Sequence, residues 1–201
     1  MAIKPILFNT EMVRAILDGR KSCTRRIIKP QWEECPHCKY VHNEYIYDKM
    51  AENVYCARCG YPIEPERRSP YQPGDILYVR ETFIQMAAHT FWYKADGKSW
   101  MLKALRWKPS IHMPKEAARI WLKVTDVRVE RLQDMTDDDA EAEGCFDYTS
   151  TALGFPDVWE STIKESDLDR YGWQANPYVW KIEFERCKKP KEVEHERARN
   201  N

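Results

Sequence analysis

The pattern of apolar and polar positions along the chain predicts several short strands and a few short helices. Apolar residues recur at helical spacing after Asn9 and Thr10, either of which can cap the helix, and Gly19 ends it. Alternating apolar and polar residues predict three strands, at 74–83, 119–132 and 178–186. The second of these changes register at Thr125–Asp126, which indicates a bulge or a sharp bend. Helices do not alternate regularly with these strands, so we expect an α+β fold whose small sheet is closed or strongly bent.

Two further helices are predicted in the C-terminal half of the chain. Thr136 and Asp139 have the spacing of a capping box, and Gly144 ends this short acidic helix. The segment 157–166 forms the other helix. Residues 188–201 have almost nothing apolar to bury, so we expect them to be a disordered tail.

Composition and charge narrow the classes of function. The chain has 201 residues, of which 43% are hydrophobic, which suits one sizeable domain or one domain with an inserted module. Its 32 basic residues balance 32 acidic ones, so no global field favours a long nucleic acid or a membrane surface. No apolar run approaches the roughly 20 residues of a membrane span, and the start lacks the pattern of a signal peptide. We therefore expect a cytoplasmic protein, in which cysteines are reduced or bound to metal.

Four of the seven cysteines form a pattern typical of a metal site. They make two C-x2-C pairs separated by 17 residues: Cys35, Cys38, Cys56 and Cys59. Tetrahedral Zn²⁺ takes four thiolates, and such a set leaves no position for a catalytic water. We expect one structural zinc ion in a ribbon, residues 31–70, that interrupts a main domain spanning 1–187. His37 and His42 are alternative ligands in this segment. The ribbon either braces the fold or also binds a protein partner.

The segment ILDGRKSCTRR, residues 16–26, permits two interpretations. Its four cations can complement the dipole at the end of a helix. Alternatively, Lys21 can act as a base for the hydroxyl of Thr24, which is inert as a nucleophile without one. A lysine is a base only when its pKa is well below about 10.4, and neighbouring cations lower that pKa. Just after the end of a helix, Lys21 and Thr24 can lie on one side of a turn or an early strand.

The same segment resembles the signature of the ASCH domain family. Gly19, Lys21 and Arg26 fit the pattern G-x-K-x-x-x-x-R. More closely, the chain resembles ASCH proteins that are often encoded in bacteriophages and prophages, over about residues 3–186. Three stretches carry that similarity: KPILFNTEMVRAILDGRK, KPSIHMPKEAARIWLKVTDVRVERLQDMT and NPYVWKIEFE. The resemblance implies a small PUA-like β-barrel with short flanking helices, here carrying the four-cysteine zinc ribbon, and an association with RNA and modified nucleosides.

One bacterial branch of this family hydrolyses N4-acetylcytidine, and the resemblance assigns its catalytic set to three positions. The lysine corresponds to Lys21, the threonine to Thr24, and the glutamate to Glu143. Many ASCH domains have a glutamate where Thr24 stands, so the threonine favours the hydrolytic branch. We therefore expect an amidohydrolase acting on N4-acetylcytidine or a related acylated nucleoside, with Arg26 stabilising the oxyanion. The alternative is a module that binds RNA or a modified nucleotide, a ribonuclease included, without amidase turnover.

Three more residues are expected to bind the substrate. His112 lies in KPSIHMP, a segment that the family resemblance makes a candidate pocket wall, although a structural role is the alternative. Arg80 and Glu81 end a predicted strand, where they bind substrate or form a structural ion pair, with each other or with the cations of 20–26. Several aromatic side chains suit the stacking of a base: Trp92, Tyr93, Trp100, Trp107 and Trp173. The expected partners are a small nucleoside or modified base, with RNA as the alternative, and no membrane.

Overall fold

The computed structural model shows a mixed α+β protein that is mostly sheet. It describes residues 1–29, 31, 35, 37–39, 45–48, 53–63, 69–145 and 151–190. The expected tail therefore lies outside the described residues beyond position 190, and so does part of the expected ribbon. None of the helices in the described ranges has the length and apolar composition needed to cross a bilayer.

Ten strands and five α-helices are described, and most of them are short. The strands are β1 (Ile3–Leu7), β2 (Cys23–Ile27), β3 (Tyr45–Asp48), β4 (Asn53–Cys56), β5 (Pro62–Ile63), β6 (Ile76–Arg80), β7 (Phe83–Ala87), β8 (Thr90–Tyr93), β9 (Trp121–Arg131) and β10 (Tyr178–Cys187). The helices are α1 (Thr10–Leu17), α2 (Ser99–Ala104), α3 (Asp137–Ala142), α4 (Thr151–Glu160) and α5 (Leu168–Tyr171). Short 3-10 turns occupy several of the connections.

The largest sheet has five strands in the order β1-β6-β9-β10-β2. Strands β1 and β6 run parallel, with Ile3 opposite Ile76, whereas β6 pairs with β9 and β10 pairs with β2 in antiparallel fashion. A three-stranded sheet, β3-β4-β5, and the hairpin β7-β8 complete the described pairings. The α+β class is thus confirmed. Among the described strands no closed barrel forms, so the PUA-like barrel stays a prediction.

The chain divides into two compact units. The first consists of residues 1–22 and 73–125 and of the chain from Phe184 onward; the second consists of residues 23–72 and 126–183. Strand β9 passes from one unit to the other between Thr125 and Asp126, where the sequence pattern predicts a bulge or a bend. The strand itself is continuous from Trp121 to Arg131.

The first unit contains α1 and the core beneath the β7-β8 hairpin. Asn9 caps α1, since its side-chain oxygen accepts a hydrogen bond from the backbone N–H of Met12 at 2.8 Å. Gly19 follows the helix with a φ of 76°, a left-handed conformation that glycine adopts without strain. Six buried side chains form one cluster of its core: Ile76, Phe83, Met113, Ala117, Ala118 and Trp121.

The second unit packs α3 and α4 against β10. Thr136 and Asp139 form the predicted capping box at the start of α3. Helix α4 spans Thr151–Glu160, so it both begins and ends earlier than the predicted segment 157–166. Phe155 and Trp159 lie four residues apart on this helix, and both bury their rings in the core. The other members of this core are Leu132, Ala140, Cys145 and Val179.

Candidate functional site

Lys21 has a buried side chain in the first unit. After α1 ends, the backbone N–H groups of Arg20 and Lys21 both donate to the carbonyl of Ala15, at 2.8 and 3.1 Å. This turn buries the side chain of Lys21, which is 4% exposed. Its Nζ lies 5.5 Å from the centroid of the Phe8 ring, a cation–π contact. At Lys21, the basic segment that follows α1 is therefore buried and is not exposed to solvent.

Strand β2 carries Thr24 and Arg25 in the second unit. Thr24 lies opposite Ile182 on β10, and Arg25 lies opposite Lys181. Successive side chains of a strand point to opposite faces, so Thr24 and Arg25 face opposite sides of β2. Thr24 is 4% exposed and Arg25 is 3% exposed.

The guanidinium of Arg25 is surrounded by three carboxylates. Its Nε donates to Glu130 Oε1 at 2.7 Å, its Nη2 lies 3.1 Å from Asp139 Oδ2, and its Nη1 donates to Glu143 Oε1 at 3.3 Å. Asp139, in the first turn of α3, and Glu143, at its C-cap, are four residues apart, a spacing that places both carboxylates on one face of the helix. Glu143, the residue that caps the C-terminus of α3, is 4% exposed.

A second buried cation, Lys181, completes this charge cluster. Lys181 is 3% exposed and its Nζ donates to Asp139 Oδ1. Desolvation alone would raise the pKa of Asp139, but the hydrogen bond from Lys181 and the charge of Arg25 lower it below the usual aspartate value. Desolvation alone would likewise lower the pKa of Arg25, and the charges of Glu143, Glu130 and Asp139 raise it instead. Two cations thus stabilise the ionised carboxylate of Asp139.

Arg26 and Tyr71 are a further pair of polar groups in the second unit. Desolvation lowers the pKa of Arg26, an effect that the charges of Tyr71 and Glu143 oppose. Desolvation also raises the pKa of Tyr71, and the charge of Arg26 opposes that shift. Arg26, Tyr71 and Glu143 are therefore close enough to interact electrostatically. No motif in the sequence singles out Tyr71, and its proximity to Arg26 depends on the fold.

The other expected substrate-binding residues lie in the first unit, with separate partners. Arg80 donates through Nε to the carbonyl of Met113 at 2.9 Å and through Nη2 to the carbonyl of Ile111. It thereby holds the 3-10 turn that carries His112, whose side chain is exposed. Glu81 is 1% exposed and is paired with Arg119, not with Arg80 or with the cations of 20–26.

The four cysteines of the ribbon converge on one point. Their sulfur atoms all lie within 4.8 Å of one another. Cys35 Sγ is 3.7 Å from Cys59 Sγ, and Cys38 Sγ is 3.7 Å from Cys56 Sγ. A regular tetrahedron of sulfurs about 2.3 Å from a central Zn²⁺ has edges of about 3.8 Å. The four thiols can therefore hold a metal ion.

The backbone of each C-x2-C pair has the same turn. Lys39 follows Cys38 with a φ of 55°, and Gly60 follows Cys59 with a φ of 67°. The N–H of Lys39 donates to the carbonyl of Cys35 at 3.0 Å, and the N–H of Gly60 donates to that of Cys56 at 2.8 Å. Two matching turns therefore present the two thiol pairs.

The histidines do not join this group of ligands among the described residues. His37 is exposed and stacks on the ring of Tyr61, with the ring centroids 5.1 Å apart. The other alternative ligand, His42, lies outside the described residues.

Comparisons with known proteins do not assign the chain to a family. No family model matches it, and no curated protein matches it. Among solved structures, it is similar to the crystal structure of hypothetical protein PH0355, at 15% sequence identity and a TM-score of 0.42. That similarity covers 93% of this chain and 100% of the other. A similarity of this size carries no conclusion about fold or function, and the ASCH resemblance stays a prediction.

We predict that the protein as purified carries about one equivalent of metal bound by the four cysteines. Cys56→Ser should lose that metal, because Cys56 is fully buried and contributes one of the four sulfurs. Cys187→Ser, which changes a cysteine outside the cluster, should keep it. Elemental analysis of the three proteins makes the comparison. Full metal content in Cys56→Ser would contradict the assignment.

We predict that Arg25→Ala destabilises the fold by about 3–5 kcal/mol, because it leaves buried carboxylates without their cation. Arg20→Ala is the matched control, since Arg20 is a half-buried cation of the same segment whose partner, Asp18, is exposed. Its cost should stay below about 1 kcal/mol. Urea unfolding measures both values. Equal costs for the two variants would show that Arg25 is not the centre of a buried cluster.

We predict that stability falls in acid partly through Asp139. The pKa of Asp139 is lower in the folded state than in the unfolded state. Its ionised carboxylate therefore stabilises the fold fully when the pH is above the unfolded-state pKa of about 3.9, and this stabilisation is lost as the pH falls through the folded-state pKa. The free energy of unfolding should therefore decrease between about pH 5 and pH 2. Asp139→Asn should flatten that decrease, and an unchanged slope would refute this role.

Proposed function

We propose that the chain is a PUA-like ASCH protein that hydrolyses the exocyclic amide of N4-acetylcytidine or of a related acylated nucleoside. The observation that supports this most is the burial of the three polar side chains that the family resemblance names. Lys21, Thr24 and Glu143 are each 4% exposed. A solvated helix end would leave Lys21 and Glu143 in water, whereas buried polar groups cluster at functional sites. Lys21 precedes Thr24 by three residues, and Glu143 belongs to the same unit as Thr24.

The proposed reaction breaks the bond between the acetyl carbon and N4. Lys21 takes the proton of the Thr24 hydroxyl as its oxygen attacks the acetyl carbonyl, while Arg26 and backbone amides stabilise the oxyanion. The proton that Lys21, neutral at the start, has taken passes to the carboxylate of Glu143, which returns it to N4 as the amine leaves and cytidine is released. Alternatively, Glu143 orients Lys21. Water then hydrolyses the acetyl ester on Thr24 and releases acetate. In a variant of this scheme, Thr24 holds a water molecule that Lys21 activates, and no ester forms.

Arg25 acts as a positioning residue in this proposal. Its Nη1 donates to Glu143, while Glu130 and Asp139 fix the guanidinium from other directions. A general acid needs a defined position relative to the leaving group, and a carboxylate at the end of a six-residue helix gains that position from a fixed partner.

We also propose that the metal of the four cysteines is zinc and that its role is structural. Four thiolates complete a tetrahedral shell, so no ligand position is open for a substrate or a water. A cytoplasmic location agrees with this, because reduced cysteines are required. The ribbon would then be free to bind a protein partner through its exposed residues, such as Tyr61. His112, on the turn that Arg80 holds, is the exposed candidate for contact with the substrate.

The test is incubation of the purified protein with N4-acetylcytidine while the release of cytidine is followed. The wild type should turn over, and Thr24→Ala should lower the rate by at least about 100-fold. Ser22→Ala is the matched control, because it removes an exposed hydroxyl two residues away on the same segment. It should leave the rate unchanged. Thermal melting of each variant shows that the fold is retained.

Two results would overturn the hydrolase. The first is equal turnover by the wild type and by Thr24→Ala. The second is no turnover together with RNA binding that weakens steeply as salt is raised, because phosphate contacts release counterions. That second result would establish the alternative, a module that binds RNA or a modified nucleotide without amidase activity.

A further inference from the structure

A cavity of about 340 Å³ lies in the first unit beside the β7-β8 hairpin. Its lining consists of Phe91, Trp92, Tyr93, Asp96, Gly97 and Arg119. The volume is within the range of small-molecule sites, about 300–1,000 Å³. None of the proposed catalytic residues lines it, so it is separate from the set that the hydrolase requires.

The cavity follows the edge of strand β8. Consecutive side chains of a strand point to opposite faces. The three consecutive residues 91–93 can therefore line the same cavity only if that cavity lies along the edge of the strand. In the described part of the chain, β8 pairs with β7 alone. No described strand therefore covers the other edge of β8.

The aromatic and cationic groups of the lining are held in place. Arg119 donates to both oxygens of Glu81, at 2.8 and 3.0 Å, and it also donates to Asp96. Its guanidinium carbon lies 4.0 Å from the centroid of the Tyr93 ring. The Tyr93 hydroxyl donates to the carbonyl of Ala117 at 2.6 Å. Two planar groups are thus stacked and fixed, so this wall of the cavity is preorganised.

The turn that carries Asp96 is fixed as well. This 3-10 turn, Lys94–Asp96, is tied to α1 because Arg14 Nε donates to the carbonyl of Ala95 at 2.9 Å. The lining also contains Trp92, a large ring that is 40% exposed and so open to a ligand.

The charges of Asp96 and Arg119 in the lining, together with Glu81, which binds Arg119 but does not line the cavity, disfavour an anion. Glu81 and Asp96 together outweigh the single charge of Arg119, and both already bind its guanidinium. A phosphate would have to compete with two carboxylates for that cation. An uncharged ring meets no such competition, and the ring nitrogens and carbonyls of a heterocycle can hydrogen-bond to the strand edge.

We propose that this cavity binds an uncharged planar heteroaromatic ring of nucleobase size, stacked on Trp92, with the polar edge of the ring hydrogen-bonded to β8. The inference does not depend on the hydrolase, because it uses none of the proposed catalytic residues. It assigns a function to two of the aromatic residues that the sequence marks as suited to base stacking, Trp92 and Tyr93.

The test is equilibrium binding of cytidine and adenosine to the purified protein, measured by calorimetry. Saturable binding is expected, and it should be weaker for cytidine 5′-monophosphate because of the two carboxylates. Trp92→Ala should weaken binding about tenfold or more, since stacking on an aromatic side chain contributes strongly for every base. Trp92→Phe, which keeps a ring and tests whether the hairpin still folds, should retain most of the affinity.

Trp100→Ala is the matched control, because Trp100 is 66% exposed and does not line the cavity. It should bind the nucleosides as the wild type does. Absence of saturable binding to both nucleosides would overturn the proposal. So would unchanged affinity in Trp92→Ala, or tighter binding of the monophosphate. Thr24→Ala separates the two proposals. If this variant loses turnover but still binds the nucleosides in a way that depends on Trp92, the binding cavity is established independently of the hydrolase site.

Discussion

The burial of the Arg25 guanidinium is the constraint on which the second unit depends. Its side chain is fully buried, and an ion removed from water must be compensated by partners of the opposite charge. Those partners come from two elements, since Glu130 lies on β9 while Asp139 and Glu143 lie at α3. The cluster therefore fixes a short helix, which would be marginal alone, against the edge strand β2.

The same cluster connects the fold to the proposed chemistry. Glu143 is buried, in contact with Arg25, and this is what separates it from an ordinary acidic residue at a helix end. Strand β2 carries the candidate nucleophile, Thr24, on the face opposite to Arg25. The ribbon begins shortly after β2, and there the Gln31 side chain hydrogen-bonds both backbone groups of Tyr178, at 2.6 and 3.1 Å. Gln31 thus fixes the start of the metal-binding segment to β10.

Features that depend on neighbouring residues could be predicted from the sequence. The cap at Asn9, the capping box at Thr136 and the convergence of the four cysteines follow from short-range spacing, and the structure confirms each. The hydrophobic alternation also locates β10 to within one residue at its end. These signals are local, because caps and C-x2-C turns are formed by residues three or four positions apart.

Long-range pairings could not be predicted in this way. Arg25 stands in a cluster of cations, and nothing local shows that its partners come from Glu130 and Glu143. Glu81 was expected to pair with Arg80 or with the N-terminal cations, yet its partner is Arg119, 38 residues away. The partner of a buried charge depends on how the strands are ordered, and strand order is not present in the spacing of one sequence.

A double-mutant cycle between Arg25 and Glu143 measures whether the buried guanidinium holds this carboxylate. The free energy of unfolding is measured for the wild type, Arg25→Met, Glu143→Gln and the double variant. If the guanidinium holds this carboxylate, the two changes should be non-additive, with a coupling of about 1 kcal/mol or more in favour of the pair. Additivity to within about 0.5 kcal/mol would show that Arg25 does not hold Glu143, and would contradict the account.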